Sequence, residues 1–133
     1  MRHTLTYVKF GPFYRPLVKV SLRYGEREID YLALLDSGAD FNIFHADIAK
    51  LLKIDLKKIK DTTSFSGIQK FGQESKAYPV TMDIGVEGEF VRTLVSFSNE
   101  ISLDGYGVLG QQGFFSHFTI QFEYATKKIT IER

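Results

Sequence analysis

Along much of the chain apolar and polar residues alternate singly, with β-branched and aromatic types on the apolar side, the pattern of strands that bury one face. Leu17, Lys19, Ser21 and Arg23 interleave with Val18, Val20, Leu22 and Tyr24. After Gly25-Glu26 apolar character resumes from Ile29 to Leu35, so the stretch predicts a β-hairpin on a Gly-containing turn. Ala77 to Val86, Glu89 to Phe97 and His117 to Tyr124 predict further strands, and Lys128 to Glu132 alternates Ile129 and Ile131 with polar neighbours. One helix interrupts them: Asn42 suits an N-cap, and Phe44, Ile48, Leu51 and Leu52 recur at three- and four-residue intervals on one face. A second, shorter helical turn is expected after Gly110. The class is therefore mainly β, with one or two short helices.

Composition narrows the picture. A length of 133 residues suits one compact domain, 1–133, and excludes a large two-lobed enzyme. Seventeen Lys and Arg against sixteen Asp and Glu leave a net charge of +1, so no whole-molecule field draws the chain to nucleic acid or to an anionic membrane. The absence of Cys excludes disulfides, thiolate zinc sites and thiol nucleophiles. Met1-Arg2-His3-Thr4 leads into no apolar signal region, and nowhere do about 20 apolar residues run together as a spanning helix needs. A cytoplasmic location is expected. No repeat and no Pro-, Ser- or Gly-rich linker divides the chain.

The segment richest in chemistry is Leu32-Ala33-Leu34-Leu35-Asp36-Ser37-Gly38-Ala39-Asp40, in which an apolar strand delivers a carboxylate at its end and a small-residue turn follows at once. Carboxylates are seldom buried unless paired or hydrogen-bonded, and Gly38 lets another backbone approach or φ turn positive. An Asp-Ser-Gly tripeptide alone arises by chance often enough to mean little. Its setting, four apolar residues before and Ala-Asp after, is what favours function over a plain turn.

These residues resemble the active-site strand of the retropepsin-like aspartic proteases, apolar-apolar-Asp-Thr/Ser-Gly-Ala. Val108-Leu109-Gly110, with Gly110 lying 74 residues after Asp36, is similar to the family's second element, a strand beside the catalytic loop followed by a short helix. Ser64 to Glu74, with Gly67, Ile68 and Gly72, stands where the family carries its flap. The resemblance spans about Pro16 to Ile131 and implies a retropepsin-like β-barrel. One departure is plain: the family places Arg, or Asp or Asn one position later, after the second Gly, whereas Gln111 and Gln112 stand here. No ion pair from that turn to Asp40 is therefore implied.

Aspartic proteolysis needs two carboxyl groups close together, one acting as base toward water while its protonated neighbour acts as acid. Among all Asp residues only Asp36 lies in an Asp-Ser/Thr-Gly context; Asp61-Thr62-Thr63 and Asp104-Gly105-Tyr106 do not. The second carboxyl must then come from another copy of the chain, so an obligate homodimer is expected, with Asp36 catalytic. The resemblance further implies that Ser37 hydrogen-bonds across the dimer, that Gly38 accepts from the substrate main chain, and that Asp40 receives a substrate amide, with Ala39 between them. Leu109 and Gly110 mark the second element, Gly67 and Ile68 the flap. A polypeptide substrate and no cofactor follow, and the 12 Phe residues make apolar pocket walls expected.

Other motifs weigh less. Gly105-Tyr106-Gly107-Val108-Leu109-Gly110 matches a dinucleotide-binding pattern, but no strand-helix-strand unit surrounds it. His3, His45 and His117 are far apart and lack metal-ligand spacing, so no metal is expected. Lys50, Lys53, Lys57, Lys58 and Lys60 form a basic stretch interrupted by Asp55 and Asp61 and interleaved with Leu and Ile, which reads as a solvated face. Two rival functions stay open: a non-catalytic barrel of the same fold that dimerises or binds peptide, and a monomeric barrel for an apolar small molecule.

Overall fold

The computed structural model describes residues 1–60, 62–65, 75–101 and 105–133. In chain order the strands are β1 (Arg2–Thr6), β2 (Val8–Phe10), β3 (Phe13–Arg15), β4 (Leu17–Tyr24), β5 (Arg27–Leu35), β6 (Asn42–His45), β7 (Thr63–Phe65), β8 (Ser75–Val86), β9 (Glu89–Ser98), β10 (Gly107–Leu109), β11 (Thr119–Glu123) and β12 (Lys128–Glu132). The helix α1 (Ala46–Leu51) and a single 3-10 turn (Leu56–Lys58) lie between β6 and β7.

Six strands close into a barrel in the order β4-β5-β10-β6-β9-β8, with β8 returning to β4 through Ser21↔Gly85, Leu22↔Ile84 and Arg23↔Asp83. Alternation dictates what fills it. Val20 and Leu22 of β4 face inward between exposed or half-buried neighbours, Val18 joins them beside the buried Leu17, and Val80, Met82, Ile84 and Val86 of β8 oppose them with Val91, Val95 and Phe97 of β9. Each such side chain, fully buried, contributes about 1.5–3 kcal/mol, so the two-residue period is the dominant force setting the register. A separate sheet, β1-β12-β11, adds Ile129 and Ile131 to the same core. β2 and β3 form a short hairpin.

The predicted β4–β5 hairpin forms with Gly25-Glu26 as its turn, and the predicted strands β8, β9 and β12 form as well. The expected strand at His117 starts two residues later, at Thr119, because His117 and Phe118 still bond back to the Phe114 carbonyl. Two helical expectations are corrected. Asn42 is not an N-cap: Asn42–His45 is extended, parallel to β9 and, through Ile43↔Val108, antiparallel to β10. Closure of the barrel needs a strand between β10 and β9, and this pairing outweighs local propensity. The helix begins at Ala46, capped by His45, whose Nδ1 accepts from the Asp47 amide at 3.0 Å. Phe44 is buried from the strand, whereas Leu51 is 59% exposed. After Gly110 the chain makes consecutive turns in place of a helix, since Gly113 takes φ +111, outside helical backbone space.

Candidate active site

β5 carries Asp36 to the open end of the barrel. On one side the Leu35 amide donates to the Pro16 carbonyl (2.9 Å), and on the other the Asp36 amide donates to the Leu109 carbonyl (3.0 Å), continuing the parallel β5–β10 ladder one step past Leu35↔Leu109. The chain then reverses. The Ala39 amide donates to the Asp36 carbonyl (3.1 Å), and the Gly38 amide donates to Asp36 Oδ1 (2.9 Å), an Asx turn that orients the carboxylate by its own loop. The Asp36 carboxylate is half-buried, while Ser37, Gly38 and Asp40 are exposed and Ala39 is intermediate. Gly38 does not take a positive φ; a Cβ there would stand 3.2 Å from Asp36 Oδ1.

A second layer holds this loop from below. Asn42, wholly buried, accepts from the Gly110 amide through Oδ1 (3.0 Å) and donates from Nδ2 to the Leu94 carbonyl (3.1 Å). It thereby ties β6, β9 and the turn after β10 with one amide side chain. Gly110 is required by close approach: a Cβ would lie 2.7 Å from the backbone N and carbonyl C of Phe41. The Gln111 and Gln112 amides donate to the Ala39 and Asp40 carbonyls, each at 2.8 Å, and Gln111 Nε2 donates to the Ser37 carbonyl. Among the described residues neither Asp36 nor Asp40 forms an ion pair. Where charged partners were absent from the sequence, backbone and side-chain amides clamp the loop instead.

No family model and no curated protein matches the sequence. Solved structures do. The retropepsin-like aspartic protease from Rickettsia conorii superposes with a TM-score of 0.71 over 98% of this chain and 98% of its own, at 18% identity. The EIAV protease complexed with the inhibitor HBY-793 gives a TM-score of 0.52 over 78% of this chain and 88% of its own, at 20% identity. This chain has the retropepsin-like fold.

Within that retropepsin-like barrel the sequence-predicted residues fall into two groups. Asp36, Ser37, Gly38, Ala39 and Asp40 form one loop, and Leu109 and Gly110 lie directly beside it. Gly67 and Ile68, expected in a flap, lie outside the described residues; β7 and the start of β8, which flank them in sequence, pair antiparallel from Thr63↔Ala77 to Phe65↔Ser75. The Gly105-to-Gly110 motif enters β10 and then turns, with no helix after it, and Gly107 packs against the Phe44 ring. Gly107 and Gly110 therefore serve close packing, and Gly105 a backbone at φ +110. His3 lies in β1, His45 caps α1, and His117 sits in the turns before β11; among the described residues no three His, Cys, Asp or Glu side chains converge as metal ligands. Sequence reasoning missed Asn42 as the clamp. The available signal was an amide set inside the apolar run Phe41-Asn42-Ile43-Phe44, where a polar group must find buried partners.

Proposed function

We propose that the chain is an aspartic endopeptidase that works as a homodimer, with the Asp36 carboxyls of two copies sharing one proton and activating a water against a peptide carbonyl. The observation that carries this reading is the placement of Asp36: a half-buried carboxylate at the end of β5, oriented by the Gly38 amide and fixed through Leu109 in a retropepsin-like barrel. One carboxyl accepts the water's proton while the protonated one donates to the developing oxyanion, with no covalent intermediate. Ser37 supports the pair across the two-fold axis, and Gly38 and Asp40 receive the main chain of an extended substrate. Gly67 and Ile68 belong to the covering flap. Extended binding leaves alternate substrate side chains facing the apolar walls.

The test is cleavage profiling against a peptide library, with Asp36→Asn as the matched control. The wild type should cut and the variant should lose at least about a thousandfold in rate while keeping fold and dimer, because the water loses its base. Turnover retained by the variant rejects the assignment. Peptide binding by the wild type without turnover would instead identify a non-catalytic barrel. Activity should also be bell-shaped in pH, lost when both or neither carboxyl is protonated.

A further inference from the structure

The lysines between α1 and β7 take on a different meaning once placed in space. After α1 the chain reverses at Lys53, which takes φ 60, and the Ile54 amide donates back to the Ala49 carbonyl at 2.9 Å. Asp55 then caps the 3-10 turn by accepting from the Lys57 amide at 3.0 Å. This doubled-back segment leans against β8 and leaves a groove of about 570 Å3 whose floor is Ala46, Ile54, Leu56, Ile59 and Tyr78. Lys50 and Lys57 stand on its rim. A second depression of about 360 Å3 adjoins it across Ile54 and Ile59 and is bordered by Lys53 and Lys58. A third, of about 260 Å3, continues from Tyr78 to Lys76.

Among the described residues two carboxylates border the depressions beside these lysines, Asp55, which caps the 3-10 turn, and Glu100, which accepts from the Lys76 amide at 2.6 Å, while Asp47 pairs with Lys50 at 3.5 Å. Among the described residues Lys53, Lys57 and Lys58 form no ion pair, and all three are exposed. The trough thus joins an apolar floor to a cationic rim on a molecule of net charge only +1. It also lies away from the Asp36 loop: β6 runs from Asn42, beneath Gly110, to His45, which caps α1 at the opposite end.

We propose that this trough is a docking site for an acidic peptide segment in which carboxylate side chains alternate with apolar ones. An extended chain presents successive side chains to opposite sides, so apolar residues reach the Ile54, Leu56 and Ile59 floor while carboxylates remain at the lysine rim. A nucleic acid fits less well. Its phosphates gain nothing from an aliphatic floor, the trough offers two tyrosine rings, Tyr24 and Tyr78, and no Arg, and the small net charge supplies no long-range attraction. Rim charges of this kind set the association rate and its salt dependence, and the apolar floor supplies the affinity.

The experiment uses the Asp36→Asn protein, so that turnover cannot consume the probe, and follows anisotropy of a short fluorescein-labelled peptide in which Glu alternates with Leu. Binding should weaken with salt, and should fall at least about tenfold when Gln replaces Glu in the peptide, when Ser replaces Leu, or when Lys57→Glu and Lys58→Glu are combined in the protein. Both lysines are exposed, and an unchanged melting temperature verifies the fold of the double variant. The lysine variant also separates this site from the Asp36 loop, which it does not touch. No binding, equal binding of the Gln peptide, or equal binding by the lysine variant overturns the proposal. So does tighter binding of a single-stranded oligonucleotide that the same variant abolishes.

Discussion

The Asp36 loop and the α1-to-3-10 segment are both short, irregular and solvent-facing, yet they are held in opposite ways. Around Asp36 the ties reach far along the chain: Gly110 to Asn42 spans 68 residues and Gln111 to Ser37 spans 74. The lysine-bearing segment is held by neighbours, His45 to Asp47 and Asp55 to Lys57, each two residues apart. The Asp36 carboxylate is positioned by ties from across the barrel, whereas the lysine-bearing segment is held locally. Damage at the first should spread to global stability, and damage at the second should stay nearby.

The strongest way to test that contrast is Asn42→Ala. It leaves the Gly110 amide and the Leu94 carbonyl buried without their partner, at a cost of about 3–4 kcal/mol in urea unfolding. Gly110→Ala should follow at about 2–3 kcal/mol, because its Cβ displaces the Phe41 backbone and with it the Asp36 loop. His45→Ala removes only a local cap and should cost about 1 kcal/mol, with amide-exchange protection lost in α1 and retained in β9. If His45→Ala were as damaging as Asn42→Ala, the distinction between the two regions would fail.

The smallest effect lies at Tyr7, between β1 and β2. The Tyr7 phenol is held above its ordinary pKa of 10.0 by burial and, secondarily, by the nearby Tyr124 phenol. The unfolded chain therefore ionises first as pH rises past 10.0, and this contribution to stability, complete below that pH, disappears as pH passes through the folded value. Tyr7→Phe should flatten that alkaline decline, measured as the urea midpoint against pH.

Where one principle governed a stretch, the sequence was legible. Single alternation from Leu17 to Leu35 and from Ala77 to Phe97 settled strand character and inward face together, because burial on one side admits one register. Asp36 stood out because an apolar strand ended on a charge. Asn42–His45 was misread because Asn suits a cap and Phe44, Ile48 and Leu52 share helical spacing, while the forces that made it a strand, pairing with β9 and β10, come from residues about fifty or more positions away. In the sequence Gln111 and Gln112 stand out only as missing charges. Their work as amide donors to Ser37, Ala39 and Asp40 depends on a turn that Gly113 shapes and that periodicity does not reveal.

In the proposed homodimer each active centre draws one carboxyl from each of two chains. Wild type and Asp36→Asn, mixed and allowed to exchange subunits, test it most directly through peptide cleavage against wild-type fraction. Heterodimers with one Asp36 should be inert, so activity should fall as the square of that fraction, to about a quarter in an equal mixture. A linear decline, to about half, would mean that each chain cleaves alone and would contradict the shared centre.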